Sequence, residues 1–134
     1  MSDAGRHFSQ TYAEARRKFL DALAAHGVCA TSHVHPTARG RDGEDLAMDC
    51  ALIGPADAAR VLILSSGTHG VEGYCGSGAQ IALLRDAGFM SRLSASGDSL
   101  LLIHAVNPYG FSHWRRTNED NIDLNRNHLD FDRA

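Results

Sequence analysis

The 134-residue sequence predicts an α/β fold with helices on the faces of its sheet. A continuous apolar run, Val61 to Leu64, has the length and composition of a strand buried on both faces, and Leu100 to Val106 forms a second apolar run. Between them a helical pattern extends from about Glu72 or Gly76 through Ile81, Leu83 and Leu84 to Gly88. The order strand, loop, helix, strand implies a right-handed parallel crossover. Ligands in such sheets collect at the carboxyl ends of the strands.

Taken from the beginning, Phe8, Tyr12, Ala15, Phe19, Ala22 and Leu23 recur at helical spacing, and Gly27 is a natural stop, which predicts a helix over about residues 8 to 26. Val28 to Val34 and Leu46 to Ile53 are β-prone and flank the glycines and charges of residues 39–43, a pattern suited to a hairpin. Ser65, Ser66 and Gly67 end the first apolar run, and Asn107 and Pro108 end the second. No repeat, low-complexity tract or linker interrupts the chain, and His128 to Ala134 show no pattern. One domain is expected over residues 1–134.

With 43% hydrophobic and 22% charged residues, the composition is that of an ordered globular chain. A net charge of -3 carries no basic footprint, so neither nucleic acid nor an acidic membrane surface is an expected partner. Arg16, Arg17 and Lys18 read as one solvated helix face. No apolar run approaches the roughly 20 residues that span a bilayer. Asp3, Glu14 and Asp21 stand where a signal peptide would be apolar, so a cytoplasmic protein is expected. Three widely spaced cysteines, Cys29, Cys50 and Cys75, suit neither a disulfide framework nor a zinc knot and are expected to be reduced.

Two stretches carry chemistry. In Ser65-Ser66-Gly67-Thr68-His69-Gly70-Val71-Glu72-Gly73, a histidine and a glutamate three residues apart follow a strand end. Three residues make nearly one helical turn, so an imidazole nitrogen and a carboxylate can converge on Zn²⁺ from one side. H-x-x-E arises often by chance, and read alone the pair is more simply two ordinary polar residues of a loop; its place at a strand end favours the metal. The second stretch holds Asn107-Pro108-Tyr109-Gly110-Phe111, Trp114-Arg115-Arg116-Thr117-Asn118 and Asp123-Leu124-Asn125-Arg126-Asn127. Arginine's planar fork binds carboxylates bidentately, which suits Arg126 beside Asn125 to a substrate carboxylate or carbonyl. Surface ion pairs of Arg115 or Arg116 with Glu119 or Asp120 are the plainer alternative.

Together the two stretches resemble the zinc carboxypeptidase superfamily, in which H-x-x-E, N-P-D-G-[FY], an arginine segment and D-x-N-R-N follow in this order. The resemblance is closer to a group of unknown function within it, marked by S-S-G-T-H-G-V-E-G, N-P-Y-G-F and R-R-x-N-E-D-N-x-D-L-N-R-N, and it extends to aspartoacylase-type enzymes. It implies a mixed, mostly parallel sheet with helices on both faces. It also implies that the chain is the amino-terminal part of one metallocarboxypeptidase-like domain, incomplete at its C-terminus. By the same resemblance His69 and Glu72 are zinc ligands, Asp123 accepts a hydrogen bond from the ligand histidine, and Asn125 and Arg126 hold the substrate's free carboxylate. Arg115 or Arg116 polarises the scissile carbonyl, and the register between them stays open.

The implied activity is zinc-dependent hydrolysis of an amide bond in a peptide or N-acyl amino acid. The superfamily's third ligand, a histidine, and its general base, a glutamate, lie well beyond D-x-N-R-N, so both are expected past Ala134. Without them the 134 residues are expected to be inactive, marginally stable and prone to self-association. Tyr109 stands where the superfamily has aspartate, and His128 where an aromatic is common. Two alternatives remain: a chain without catalysis of its own, and a cysteine hydrolase using Cys75 at a strand-to-helix turn. Gly76, Ser77 and Gly78 lack the lysine of a phosphate cradle. His104, inside the second apolar run, reads as a hydrogen-bonded core residue.

Overall fold

The computed structural model of the protein describes residues 3–127. A 3-10 turn, Asp3–His7, precedes α1 (Tyr12–Ala24), β1 (Thr31–Arg39), β2 (Asp45–Ile53), β3 (Val61–Ser65), α2 (Glu72–Leu84), α3 (Ala87–Ser96), β4 (Ser99–His104) and α4 (Pro108–His113). His128 lies outside the described residues. No described helix is long and apolar enough to cross a membrane.

The first helix begins four residues later than its apolar spacing suggests. Thr11 is extended (φ -131°, ψ 157°) and its hydroxyl accepts the Glu14 N–H at 3.1 Å, which caps the helix. Phe8 instead lies against α2 at Gly78, where a Cβ would meet its ring. The second helical pattern is two helices, because the Asp86 carboxylate accepts the Phe89 N–H at 2.9 Å and starts α3 afresh. The N-P-Y-G segment, read as a strand stop, opens α4: Asn107 Oδ1 caps Gly110 N–H at 2.8 Å and Pro108 takes the first position.

The sheet has the order β1-β2-β4-β3. The α/β fold with a mixed sheet is therefore as expected, and the hairpin of β1 and β2 forms in the register Thr31↔Cys50 and His33↔Met48. The parallel majority is not. Among the described strands only β3 and β4 run parallel, whereas β2 is antiparallel to both β1 and β4. Only the connection through α2 and α3 is long enough to carry the chain back for a parallel partner, and the short turn after Arg39 forces antiparallel pairing.

Helices on both faces are likewise not found among the described residues. Phe19 and Leu23 of α1 and Ile81 and Leu84 of α2 pack on Ala51, Leu100 and Leu102 of the sheet, with Phe89 and Leu93 of α3 against the same cluster. A second cluster of Tyr12, Ala15, Leu46, Ala105 and Phe111 seats α4 on that side. Strand periodicity turns the in-register row Leu52, Leu101 and Ile63 to the opposite face, where Leu52 is 39% and Ile63 59% exposed. Val61 and Leu62 are also exposed, so β3, expected in the core, is an edge strand among the described residues.

Arg16 departs from its expected solvated face. Its guanidinium clamps the fully buried Asp49 of β2, Nε to Oδ2 at 2.7 Å and Nη2 to Oδ1 at 3.1 Å, while Ser32 Oγ donates to Oδ1 at 2.5 Å. A carboxylate at an inward strand position requires such partners, since burial without them is costly.

Candidate functional site

The parallel pair β3/β4 places both chemical stretches at one end of the sheet. Past Ser65 the chain stays bonded to the β4 side: Ser66 N–H donates to Ile103 O (3.0 Å), Val106 N–H to Ser66 O (2.9 Å) and Asn107 N–H to Gly67 O (2.8 Å). These bonds carry the backbone to His69 and then directly into α2, whose first residue is Glu72. At Gly70 the two stretches meet. Its N–H donates to Arg115 O at 2.9 Å, and any side chain there would collide with the carbonyls of Gly110 and Arg115.

Trp114 ends α4 in the left-handed region (φ 57°), and its indole N–H donates to the Tyr74 hydroxyl at 2.9 Å. This reversal sends Arg115 and Arg116 back across Gly70. The next reversal is closed by Asn118, whose Oδ1 accepts the N–H groups of Asp120 (3.1 Å) and Ile122 (2.8 Å). The Arg115 guanidinium spans the same turn, donating to Asn121 Oδ1 at 3.0 Å and Thr117 Oγ1 at 3.4 Å. His35 Nδ1 accepts the Ala38 N–H at 2.9 Å, so Nε2 carries the proton and donates to Glu119 Oε1 at 2.9 Å. The turn is thereby tied to β1, and the chain returns at Asp123.

Asp123 is the hub of the site. Oδ1 lies 2.9 Å from His69 Nε2 and accepts the Asn125 N–H at 2.9 Å, and Oδ2 accepts from Arg116 Nε at 2.8 Å. The His69 contact above all, with Arg116 beside it, holds the Asp123 carboxyl well below the usual carboxylate range. An ionised carboxylate can only accept, so His69 Nε2 carries a proton and Nδ1 is left on the side away from Asp123. Nδ1 lies 3.7 Å from Glu72 Oε1. Two ligands of a tetrahedral zinc ion stand about 3.4 Å apart at the usual bond lengths, so this pair is spaced for one ion. His69 is largely buried, with 13% of its side chain exposed, whereas Glu72 is open at 68%.

Thus His69, Glu72, Asp123 and Arg116 are brought together. Arg115 is turned to the 117–121 reversal, and Arg126 donates to the Asn125 carbonyl at 2.9 Å. Neither Arg126 nor the Asn125 side chain bonds to His69 or Glu72 among the described residues. No group of three His, Cys, Asp or Glu that could hold a metal occurs among them. Cys75 is exposed on α2 with no base in contact among the described residues. His104 Nε2 lies 2.8 Å from Ser77 Oγ, but both residues are buried, and the imidazole stacks on Phe19 in the core. Burial pushes the His104 imidazole down to about 4, so it is neutral.

Sequence reasoning missed Asp49, Ser77 and Gln80. Their signal was a polar residue at an inward position of a strand or helix, which always calls for a partner.

A family model described as "Protein of unknown function (DUF2817)" matches residues 8–134. No curated protein matches the chain. Two solved structures of Porphyromonas gingivalis glutaminyl cyclase are similar to it. One is 15% identical with a TM-score of 0.43, covering 78% of this chain and 48% of that one. The other is 12% identical with a TM-score of 0.44, covering 77% and 49%. The chain spans about half the length of these structures.

Proposed function

The chain belongs to the DUF2817 family, and from that premise we propose that it supplies two ligands, His69 and Glu72, to a zinc-dependent hydrolase of amide bonds. The observation that carries the reading is the orientation of His69: Nε2 is committed to Asp123 at 2.9 Å while Nδ1 faces Glu72. A carboxylate behind a histidine fixes the tautomer and raises the basicity of the ligand nitrogen. When bound, zinc supplies Lewis-acid polarisation of a carbonyl and a water of lowered pKa. A third protein ligand and a general base come from outside the described residues.

Arg116, held by Asp123 beside the histidine, is the donor for charge developing on the substrate oxygen, a task that needs a fixed cation. Arg115 braces the turn that returns Asp123 to the site. Asn125 and Arg126 extend the same segment and hold the free carboxylate of a peptide or N-acyl amino acid, for which the guanidinium fork is suited.

Zinc analysis of the natural gene product tests the ligands. His69→Ala and Glu72→Gln are each expected to strip tightly bound zinc, because a catalytic site has three protein ligands and loses its grip with two. Stoichiometric metal and full activity in both variants would refute the site. Arg126→Lys tests the anchor: KM is expected to rise for substrates with a free carboxylate and to stay unchanged for their amides, since a point charge does not replace the fork. Equal loss on both substrates would make Arg126 structural.

A further inference from the structure

The helix that begins with Glu72 is docked closely on the strand ends and the Phe111 ring through its own glycines. A Cβ on Gly73 would lie 3.2 Å from the Gly67 Cα, and one on Gly76 would lie 2.9 Å from the Ser66 Cβ. The next residue on that face is Gln80, which is buried. Its amide donates to Leu64 O at 2.9 Å and Ile103 O at 3.2 Å, and its oxygen accepts from Ser66 Oγ at 3.0 Å. One side chain therefore grips the ends of β3 and β4 at the point where the chain leaves for His69.

We propose that Gln80 is a positioning residue that sets the separation of His69 from Glu72. The inference rests on the zinc reading above and assigns the part of the frame that holds its two ligands in register. Apolar packing does not do this, because a glycine-lined contact can slide along the helix axis, whereas three directional bonds fix depth and rotation together. His69 hangs from the gripped strand and Glu72 from the gripping helix. Loss of the grip lets the 3.7 Å separation drift.

The test compares Gln80→Met, which keeps the length and loses the bonds, with Leu84→Ala, which opens a core cavity one turn further along α2. Both are expected to lower Tm. Only Gln80→Met is expected to weaken zinc in a chelator competition, because it alone leaves the two ligands out of register. In the metal-free protein only Gln80→Met is expected to move the ¹⁵N signals of the His69 ring. Unchanged zinc affinity and ring signals in Gln80→Met would overturn the proposal, as would equal effects of Leu84→Ala. Should Gln80→Met fail to fold, Ser66→Ala removes one of the three bonds, and His69 signals unmoved by it would overturn the proposal in the same way. If wild type and His69→Ala bind zinc alike, the zinc reading falls, and the metal-free ring signals still decide the role of Gln80.

Discussion

Asp123 is a single, mostly buried carboxylate on which His69, Arg116 and the Asn125 backbone all converge. An amide of the same shape has one acceptor instead of two and would turn a donor toward a donor. Asp123→Asn is therefore expected to lower zinc affinity or hydrolytic rate by about 10- to 100-fold, read by metal titration and by kcat. Unchanged values would detach Asp123 from the site. The pH behaviour has a defined sign. A carboxyl held low in the folded protein contributes stability that is complete above its ordinary value near 4 and is lost as pH falls through its lower folded value. The Asp123 carboxylate thus stays ionised from neutral pH down to about 4, and Asp123→Asn should flatten only the more acidic part of an unfolding profile.

At the scale of elements, α2 meets β4 through the buried pair of Ser77 and His104, with the imidazole stacked on Phe19 of α1 at 4.5 Å. The apolar surroundings push His104 down to about 4 from its ordinary 6.5. As pH falls below about 6.5 the unfolded chain binds this proton while the folded chain does not, so stability is full above that pH and is lost between 6.5 and about 4. The loss should be on the order of 3 kcal/mol. Urea unfolding across pH 7.5 to about 4 measures it, and His104→Gln, which can keep a bond to Ser77, is expected to remove most of the slope. A slope unchanged in that variant would place the titrating group elsewhere.

Across the whole molecule, the described helices cover one face of the sheet and leave Leu52, Leu101 and Ile63 in register on the other, beside an apolar edge strand. An uncharged edge and an apolar face are both adhesive. The 134 residues expressed alone are expected to self-associate, and Ile63→Lys, at a position 59% exposed, is expected to raise the monomer fraction in sedimentation velocity. Because the site is already open to water, the substitution should change stability by no more than about 0.5 kcal/mol. A wild-type chain that stays monomeric at high concentration would contradict this.

Local chemistry was legible in the sequence. The end of β3 at Ser65, the hairpin, the βαβ order and the positions of both chemical stretches follow from periodicity and from residues that stop elements, and these are properties of a few neighbours, although β4 ends at His104, before the Val106 its apolar run reaches. Helix starts were less so, because a cap such as Thr11 or Asp86 outvotes an apolar pattern by one hydrogen bond. What only the tertiary structure decided is pairing across distance. The antiparallel seat of β2 beside β4, the Arg16–Asp49 clamp and the Gln80 grip join residues whose order in the chain says nothing of who meets whom. The same holds for His69 and Asp123, 54 residues apart, whose contact depends on two successive chain reversals closed by Trp114 and Asn118. A strand's run of apolar residues, finally, states that its faces are to be buried, but not by what. That is why Val61 to Leu64 read as a core strand and stands at an edge among the described residues.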